Sequence, residues 1–80
     1  MPLTDKMLRR MRDMLTDYSV SNATAARIAE ADATCMPDGE NKAFFEREAD
    51  QLRKEAAAAD ELCSAITQEL AERKKKNDRV

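Results

Sequence analysis

Residues 35 to 41 read CMPDGEN, and this short stretch divides the chain into two halves. A proline disfavours helical geometry at the residue before it, which is Met36 here, and Gly39 permits a positive φ. Asp38 is a residue type that caps the start of a helix, and Glu40 then lies in the first turn, where negative charge is favourable. The sequence therefore predicts that the chain turns at this point and that a new helix begins directly afterwards.

The predicted layout is a single all-α domain over residues 1–80, folded as a long antiparallel hairpin. Its first helix spans about 4–35, the turn 36–39 and the second helix about 40–76, and residues 77–80 form a frayed basic C-terminus. The 80 residues include one glycine, two prolines and no tryptophan, and 38% of them are charged, which is typical of long helices. So short a chain is near the lower limit for burying a sufficient core, so self-association is expected.

Apolar residues on both sides of the turn recur at alternating steps of four and three, which is the pattern of a coiled-coil seam. We expect them to form the contact between the two helices, with facing residue numbers that sum to about 77, so that Tyr18 lies opposite Ala59. In the second helix the seam residues are Phe45, Ala49, Leu52, Ala56, Ala59, Cys63, Ile66 and Leu70. In the first helix they are Met7, Met11, Met14, Tyr18, Ala25 and Ile28, with Ser21 and Asp32 as polar exceptions on the same grid.

Four large apolar residues lie off this seam: Leu8, Leu15, Phe44 and Leu62. A two-helix hairpin cannot bury them, and exposed apolar stripes on a small chain usually mark an interface. We expect either a homodimer that forms a four-helix bundle or a surface reserved for a partner protein. The sequence leaves open which apolar stripe has which role.

Charge is distributed unevenly along the chain. Residues 1–12 and 68–80 carry nine basic and four acidic side chains, a net charge of +5, whereas residues 13–67 carry five basic and twelve acidic ones, a net charge of −7. In a hairpin both basic segments lie at the same end, which includes Arg9, Arg10, Arg73, Lys74, Lys75 and Lys76. A solvated helix end accounts for this charge, and a contact with phosphate or with an acidic protein is the alternative.

The residues that carry most enzyme chemistry are missing from the sequence. There is no histidine, no glycine-rich phosphate loop and no metal-ligand spacing, and Cys35 and Cys63 stand 28 positions apart. Isolated thiols suit a reducing compartment, and both cysteines are expected to pack as small hydrophobes. We therefore expect a cytoplasmic protein without membrane span, catalytic residues, metal or cofactor.

These observations favour a small non-enzymatic interaction protein. Such a protein would be an accessory factor, adaptor or inhibitor that docks on a larger protein through its helical surface. Its dense charge and lack of catalytic residues are common among small bacterial and bacteriophage regulators.

An alternative function comes from residues 18–30, which read YSVSNATAARIAE. The stretch resembles the turn and recognition helix of helix-turn-helix repressors, in which a short V-S turn precedes an A-T-x-x-R helix. The resemblance implies a DNA-binding regulator that uses residues 14–30, points Asn22, Thr24 and Arg27 toward the groove of DNA and dimerises through its second half. Poor helix formers between Thr16 and Thr24 favour a local break, whereas the unbroken seam periodicity favours one continuous helix.

Overall fold

The computed structural model describes residues 2–78, which form two α-helices, α1 (Asp5–Thr34) and α2 (Glu40–Asp78). The helices pack against each other along their length as an antiparallel hairpin that measures 64 × 18 × 15 Å. The predicted all-α antiparallel hairpin is confirmed. Because the molecule is a single layer of two helices, each helix can bury one side against the other while its remaining sides face solvent.

The two helices begin and end close to the predicted positions. Thr4 caps α1, since its backbone is extended and its Oγ1 accepts a hydrogen bond from the Met7 amide at 3.1 Å. Helix α1 ends at Thr34, one residue before the predicted end, where the Cys35 amide donates to the Asp32 carbonyl. Helix α2 continues to Asp78, past the predicted end at 76, and residues 79–80 of the predicted frayed segment lie outside the described residues.

Residues 35–39 connect the helices and include the predicted turn 36–39. Gly39 has a φ of 156°, a conformation that side-chain-bearing residues rarely adopt. Its carbonyl accepts the Ala43 amide at 3.1 Å, so α2 begins directly after it. Asp38 also binds the Lys42 ammonium at 3.2 Å, which fastens the turn to the first turn of α2.

The face that α1 presents to α2 is shifted by one residue from the predicted seam. The buried residues of α1 are Leu8, Ser19, Ala26, Ala29 and Ala33, with Arg12, Leu15 and Asn22 half-buried between them. This set has the same four-three spacing one position further along the chain. The predicted seam of α1 is therefore wrong: Met7, Met11, Met14, Tyr18 and Ile28 are exposed, and Ala25 is half-buried.

Side-chain size explains the shift. Helix α2 presents mainly alanines, and small residues on α1 allow the two helix axes to approach closely and to form dense van der Waals contacts. A methionine seam would hold the helices further apart and would restrict side chains that have high rotamer entropy. Ala26 and Ala49, each only 1% exposed, form the centre of this close contact together with Ala29.

On α2 the predicted seam positions lie at the contact between the helices. Ala49, Ala56, Ala59 and Ile66 are buried, and Phe45, Leu52, Cys63 and Leu70 are half-buried. Phe45 and Leu52, about one helical turn before and after Ala49, pack against the alanine cluster. The side of α2 that was expected to face α1 is thus the side that faces it.

Polar contacts across the alanine contact define the register of the hairpin. Ser19 is buried and its Oγ donates to the Asp60 carboxylate at 2.6 Å. The side-chain Nδ2 of Asn22 donates to Oε2 of Glu55 at 3.4 Å, a pair whose residue numbers sum to the predicted 77. Contacts between alanines are similar in alignments that differ by one helical turn. These directional hydrogen bonds are formed only in the observed alignment and therefore favour it.

Candidate functional site

The exposed large hydrophobic residues of the hairpin gather mainly on one side, which we call the apolar face. On α1 it comprises Leu3, Met7, Met11, Met14, Tyr18 and Ile28, and on α2 it comprises Phe44, Ala58, Leu62 and Ala65. Each of these positions in the helices precedes a contact position by one residue. Since the helices are antiparallel, the same offset places both sets on the same side of the hairpin.

An apolar groove of about 630 Å³ lies in this face. It is near the end of the hairpin opposite the turn, where α1 begins and α2 ends, which we call the open end. Leu8, Leu15 and Ile66 are its most buried residues, Met11 and Met14 line it from α1, and Leu62 lines it from α2. Its full lining is Leu3, Leu8, Met11, Met14, Leu15, Tyr18, Leu62, Ala65, Ile66 and Glu69. The volume is in the range of protein ligand sites, and the lining is almost entirely apolar.

Hydrogen bonds hold the inner end of the groove. The Tyr18 hydroxyl donates to Oε2 of Glu55 at 3.1 Å, and Asn22 shares the same oxygen. Gln51 donates to the other oxygen of Glu55 at 3.2 Å. The tyrosine ring is therefore positioned by a polar network behind it, while the ring itself remains 48% exposed beside the methionines.

The open end of the groove is held by Arg73. Its Nη1 donates to the Leu3 carbonyl at 2.6 Å and to Asp5 at 3.0 Å, and its Nε donates to Glu69 at 2.9 Å. Hydrogen bonds to Glu69 and Asp5 raise the pKa of this guanidinium above its ordinary value. Arg73 thus ties the start of α1 to the last turns of α2, which keeps the groove walls together.

The four residues predicted as an interface differ in their exposure and in their position relative to the groove. Leu8 is buried at 5% exposure, Leu15 is half-buried and Leu62 is exposed, and all three line the groove. Phe44 is exposed but lies about 27 Å along α2 from Leu62, given the helical rise. Its ring instead meets Phe45 edge-on, with centroids 5.6 Å apart.

Sequence reasoning missed Met11, Met14 and Tyr18 as members of the site because it placed them inside the hairpin. The signal that identifies them is the size of the neighbouring residues. The grid one position further along α1 contains Ala26, Ala29 and Ala33, which match the alanines of α2. Two grids of equal periodicity lie side by side on α1, and the one with small residues forms the close contact.

The turn on which the helix-turn-helix alternative depends does not occur in α1. Residues 14–30 lie inside one helix that runs without interruption from Asp5 to Thr34. Asn22 is half-buried and bonded to Glu55, whereas Thr24 and Arg27 are exposed on the helix surface. The three residues proposed to contact DNA therefore do not form the exposed start of a separate recognition helix.

The basic end of the hairpin has exposed positive charge around Arg73, a side chain that is already held in ion pairs. Arg9, Arg10, Lys74, Lys75 and Lys76 are exposed, whereas Arg73 is half-buried in the ion pairs with Asp5 and Glu69. Arg53 is another arginine that pairs across the two helices. Its guanidinium bonds to Glu30, and that hydrogen bond raises the pKa of the guanidinium. Arg9, Arg10, Lys74, Lys75 and Lys76 therefore lie at the end of the hairpin that holds the start of α1 and the end of α2, and none of them lines the groove.

The cysteines differ in their surroundings. Cys63 is half-buried in the helix contact, with Sγ 3.6 Å from the Arg12 carbonyl and from the Thr16 hydroxyl. Cys35 is exposed beside the turn, so its prediction as a small packed hydrophobe was wrong. Among the side chains that the structure describes, no group of His, Cys, Asp and Glu is suited to hold a metal ion.

Neither helix, over the residues described, has an apolar stretch long enough to cross a membrane. The fold and the groove together define a class of structure, an all-α hairpin with an apolar surface groove. Comparison of the chain with models of known protein families, with curated proteins and with solved structures finds no match.

Proposed function

We propose that this protein is a small non-enzymatic helical interaction protein, an accessory factor, adaptor or inhibitor, that binds a larger protein through its apolar groove. The observation that carries the proposal is the concentration of Met11, Met14, Tyr18 and Leu62 on one side of the hairpin. Exposed apolar surface of this kind is unfavourable in water unless a partner covers it. The proposed cellular location is the cytoplasm.

The shape of the groove favours an amphipathic helix of the partner as the bound element. A furrow between two adjacent helices can receive a third helix that presents apolar residues at steps of three and four. Methionines suit such a surface because their flexible, polarisable side chains adapt to differently shaped partners. Tyr18 adds a rigid aromatic surface of the kind that is frequent at interaction hot spots.

Met14 and Leu62 carry the largest expected share of the binding energy. Met14 is 64% exposed and Leu62 is 55% exposed, so a partner can remove much of each side chain from water. Complete burial of an exposed side chain of this size contributes about 1.5–3 kcal/mol. A charge at either position would also require the partner to desolvate it, which opposes docking further.

Replacement of Met14 or Leu62 by glutamate is expected to abolish partner capture while the hairpin stays folded. The matched control is Val20→Glu, because Val20 is 61% exposed but lies on the opposite flank of α1. The measurement is affinity capture from native lysate, with and without nuclease, followed by mass spectrometry. We expect a nuclease-resistant protein to be recovered with the wild type and Val20→Glu and to be lost with Met14→Glu and Leu62→Glu.

Circular dichroism of the three variants verifies that each remains helical. Capture that is equal for the wild type, Met14→Glu and Leu62→Glu would contradict the assignment of the groove as the docking site. Recovery that depends on nucleic acid would contradict the proposal that the partner is a protein.

A further inference from the structure

We propose that a second copy of this chain, lying antiparallel to the first, covers the groove when no larger partner is bound. The inference rests on the proposed function in one respect, namely that the groove is a docking site. It goes further by specifying the occupant, its direction and its alignment.

The groove is self-complementary about a point between Met11 and Met14. A two-fold axis through that point places Met11 of one copy against Met14 of the second copy. On α2 the equivalent point lies between Leu62 and Ala65, so that the large side chain of each copy meets the small one of the other. These two points face each other in the hairpin register, and a single axis therefore serves both helices.

The same axis places Met7 against Tyr18 of the second copy, which extends the contact along α1. The overlap covers about twenty residues of α1, or about 30 Å at the helical rise. With a hairpin about 18 Å wide, each copy contributes a footprint of about 500 Å². Contacts of this size lie at the lower end for specific interfaces, so we expect dissociation constants on the order of micromolar.

Charge favours the antiparallel direction. In the sequence, residues 1–12 and 68–80 together carry a net charge of +5, whereas residues 13–67 carry −7. In the proposed alignment residues 2–12 of one copy lie over residues 13–23 of the other, which carry Asp13 and Asp17 and no basic residue, while parallel copies would bring the two basic ends together. The long-range field therefore selects the direction that the groove symmetry also requires.

Two exposed side chains refine the alignment. Arg10 and Asp17 each precede a residue of the apolar face, Met11 and Tyr18, and they flank that face on the side away from α2. The proposed axis brings Arg10 of each copy toward Asp17 of the second copy, so the contact contains the ion pair twice. An alignment shifted to overlap the hairpins fully would instead place Leu62 opposite Gln51, which buries a polar group against an apolar one.

The decisive test is a charge exchange measured by sedimentation equilibrium at low ionic strength. The wild type should show a monomer–dimer equilibrium, and Arg10→Asp or Asp17→Arg alone should weaken it at least tenfold, because each variant opposes like charges twice. Mixing the two single variants should restore association through heterodimers, since every Arg then faces an Asp. Monomers at all concentrations, dimers unaffected by either variant, or no recovery on mixing would overturn the proposal.

Spin labels on Cys35, in a Cys63→Ala background, test the direction independently. Antiparallel copies hold the two turns about 70 Å apart, whereas parallel copies bring them within about 30 Å. A short distance would overturn the antiparallel arrangement. Failure of this test would not contradict the proposed function, because the capture experiment tests that function separately. In that experiment Met14→Glu abolishes and Val20→Glu preserves the binding of a larger protein, and neither result depends on self-association.

Discussion

Val20→Pro is expected to destabilise the hairpin by about 3 kcal/mol or more, which is a large fraction of the stability of so small a domain. Val20 lies in the middle of α1, so a proline there removes a helical hydrogen bond and clashes with the preceding turn. The side chain is exposed and makes little packing contribution, so the effect reports on the backbone. Urea unfolding followed by circular dichroism at 222 nm measures the loss.

Val20→Ala is the control for this substitution. It removes the same side chain but keeps the amide, and alanine is the better helix former by about 0.5 kcal/mol, so its stability should be unchanged or slightly higher. A proline variant as stable as the alanine variant would mean that the chain turns near Ser19, as the helix-turn-helix alternative requires. That outcome would contradict a continuous α1.

Ala49→Leu is expected to destabilise the hairpin by about 1–3 kcal/mol through overpacking. Ala49 is 1% exposed and packs against Ala26 and Ala29, so three additional carbons have no space unless the helices move apart. The separation would also weaken the contacts of neighbouring alanines, since the helices are stiff. The midpoint of urea unfolding measures this effect.

Ala57→Leu is the matched control on the same helix, because Ala57 is exposed. The two substitutions have the same chemistry and similar helix propensity, so their difference isolates the packing term. Equal midpoints for the two variants would show that the helices do not meet through a close alanine contact. Such a result would require a different face of α2 to lie against α1.

Much of the fold follows from local sequence signals. Pro37 and Gly39 interrupt an otherwise helix-forming chain, and the turn has no alternative position nearby. The contact face of α2 was also predictable, since its alanines and larger apolar residues form a single consistent grid. Both features depend on short-range propensities, which the sequence displays directly.

The contact face of α1 could not be derived from periodicity because two adjacent stripes have the same spacing. Hydrophobicity favours the stripe of Met7, Met11 and Met14, whereas close packing favours the stripe of Ala26 and Ala29. The choice between them depends on how closely the second helix approaches, which is a property of the pair and not of α1 alone. Side-chain size is therefore as informative as hydropathy when the facing helix is rich in alanine.

The candidate site was predictable in part for the same reason. Leu8, Leu15 and Leu62 were recognised as apolar residues that the predicted seam does not use, and they line the groove. Met11 and Met14 were assigned to the interior, so the extent of the exposed surface was underestimated. Phe44 shares the apolar face by periodicity, but only the three-dimensional arrangement shows that the groove ends before reaching it.

The central claim is that α1 turns its small residues to α2 and leaves Met11 and Met14 open to a partner. Oxidation by dilute peroxide, with the rate at each methionine followed by mass spectrometry, tests it most directly at a concentration where the chain is monomeric. The rates in urea provide the fully exposed reference. We predict that Met11 and Met14 of the folded monomer oxidise at nearly the reference rate; protection of both by tenfold or more in the monomer would place them in the helix contact and contradict the account.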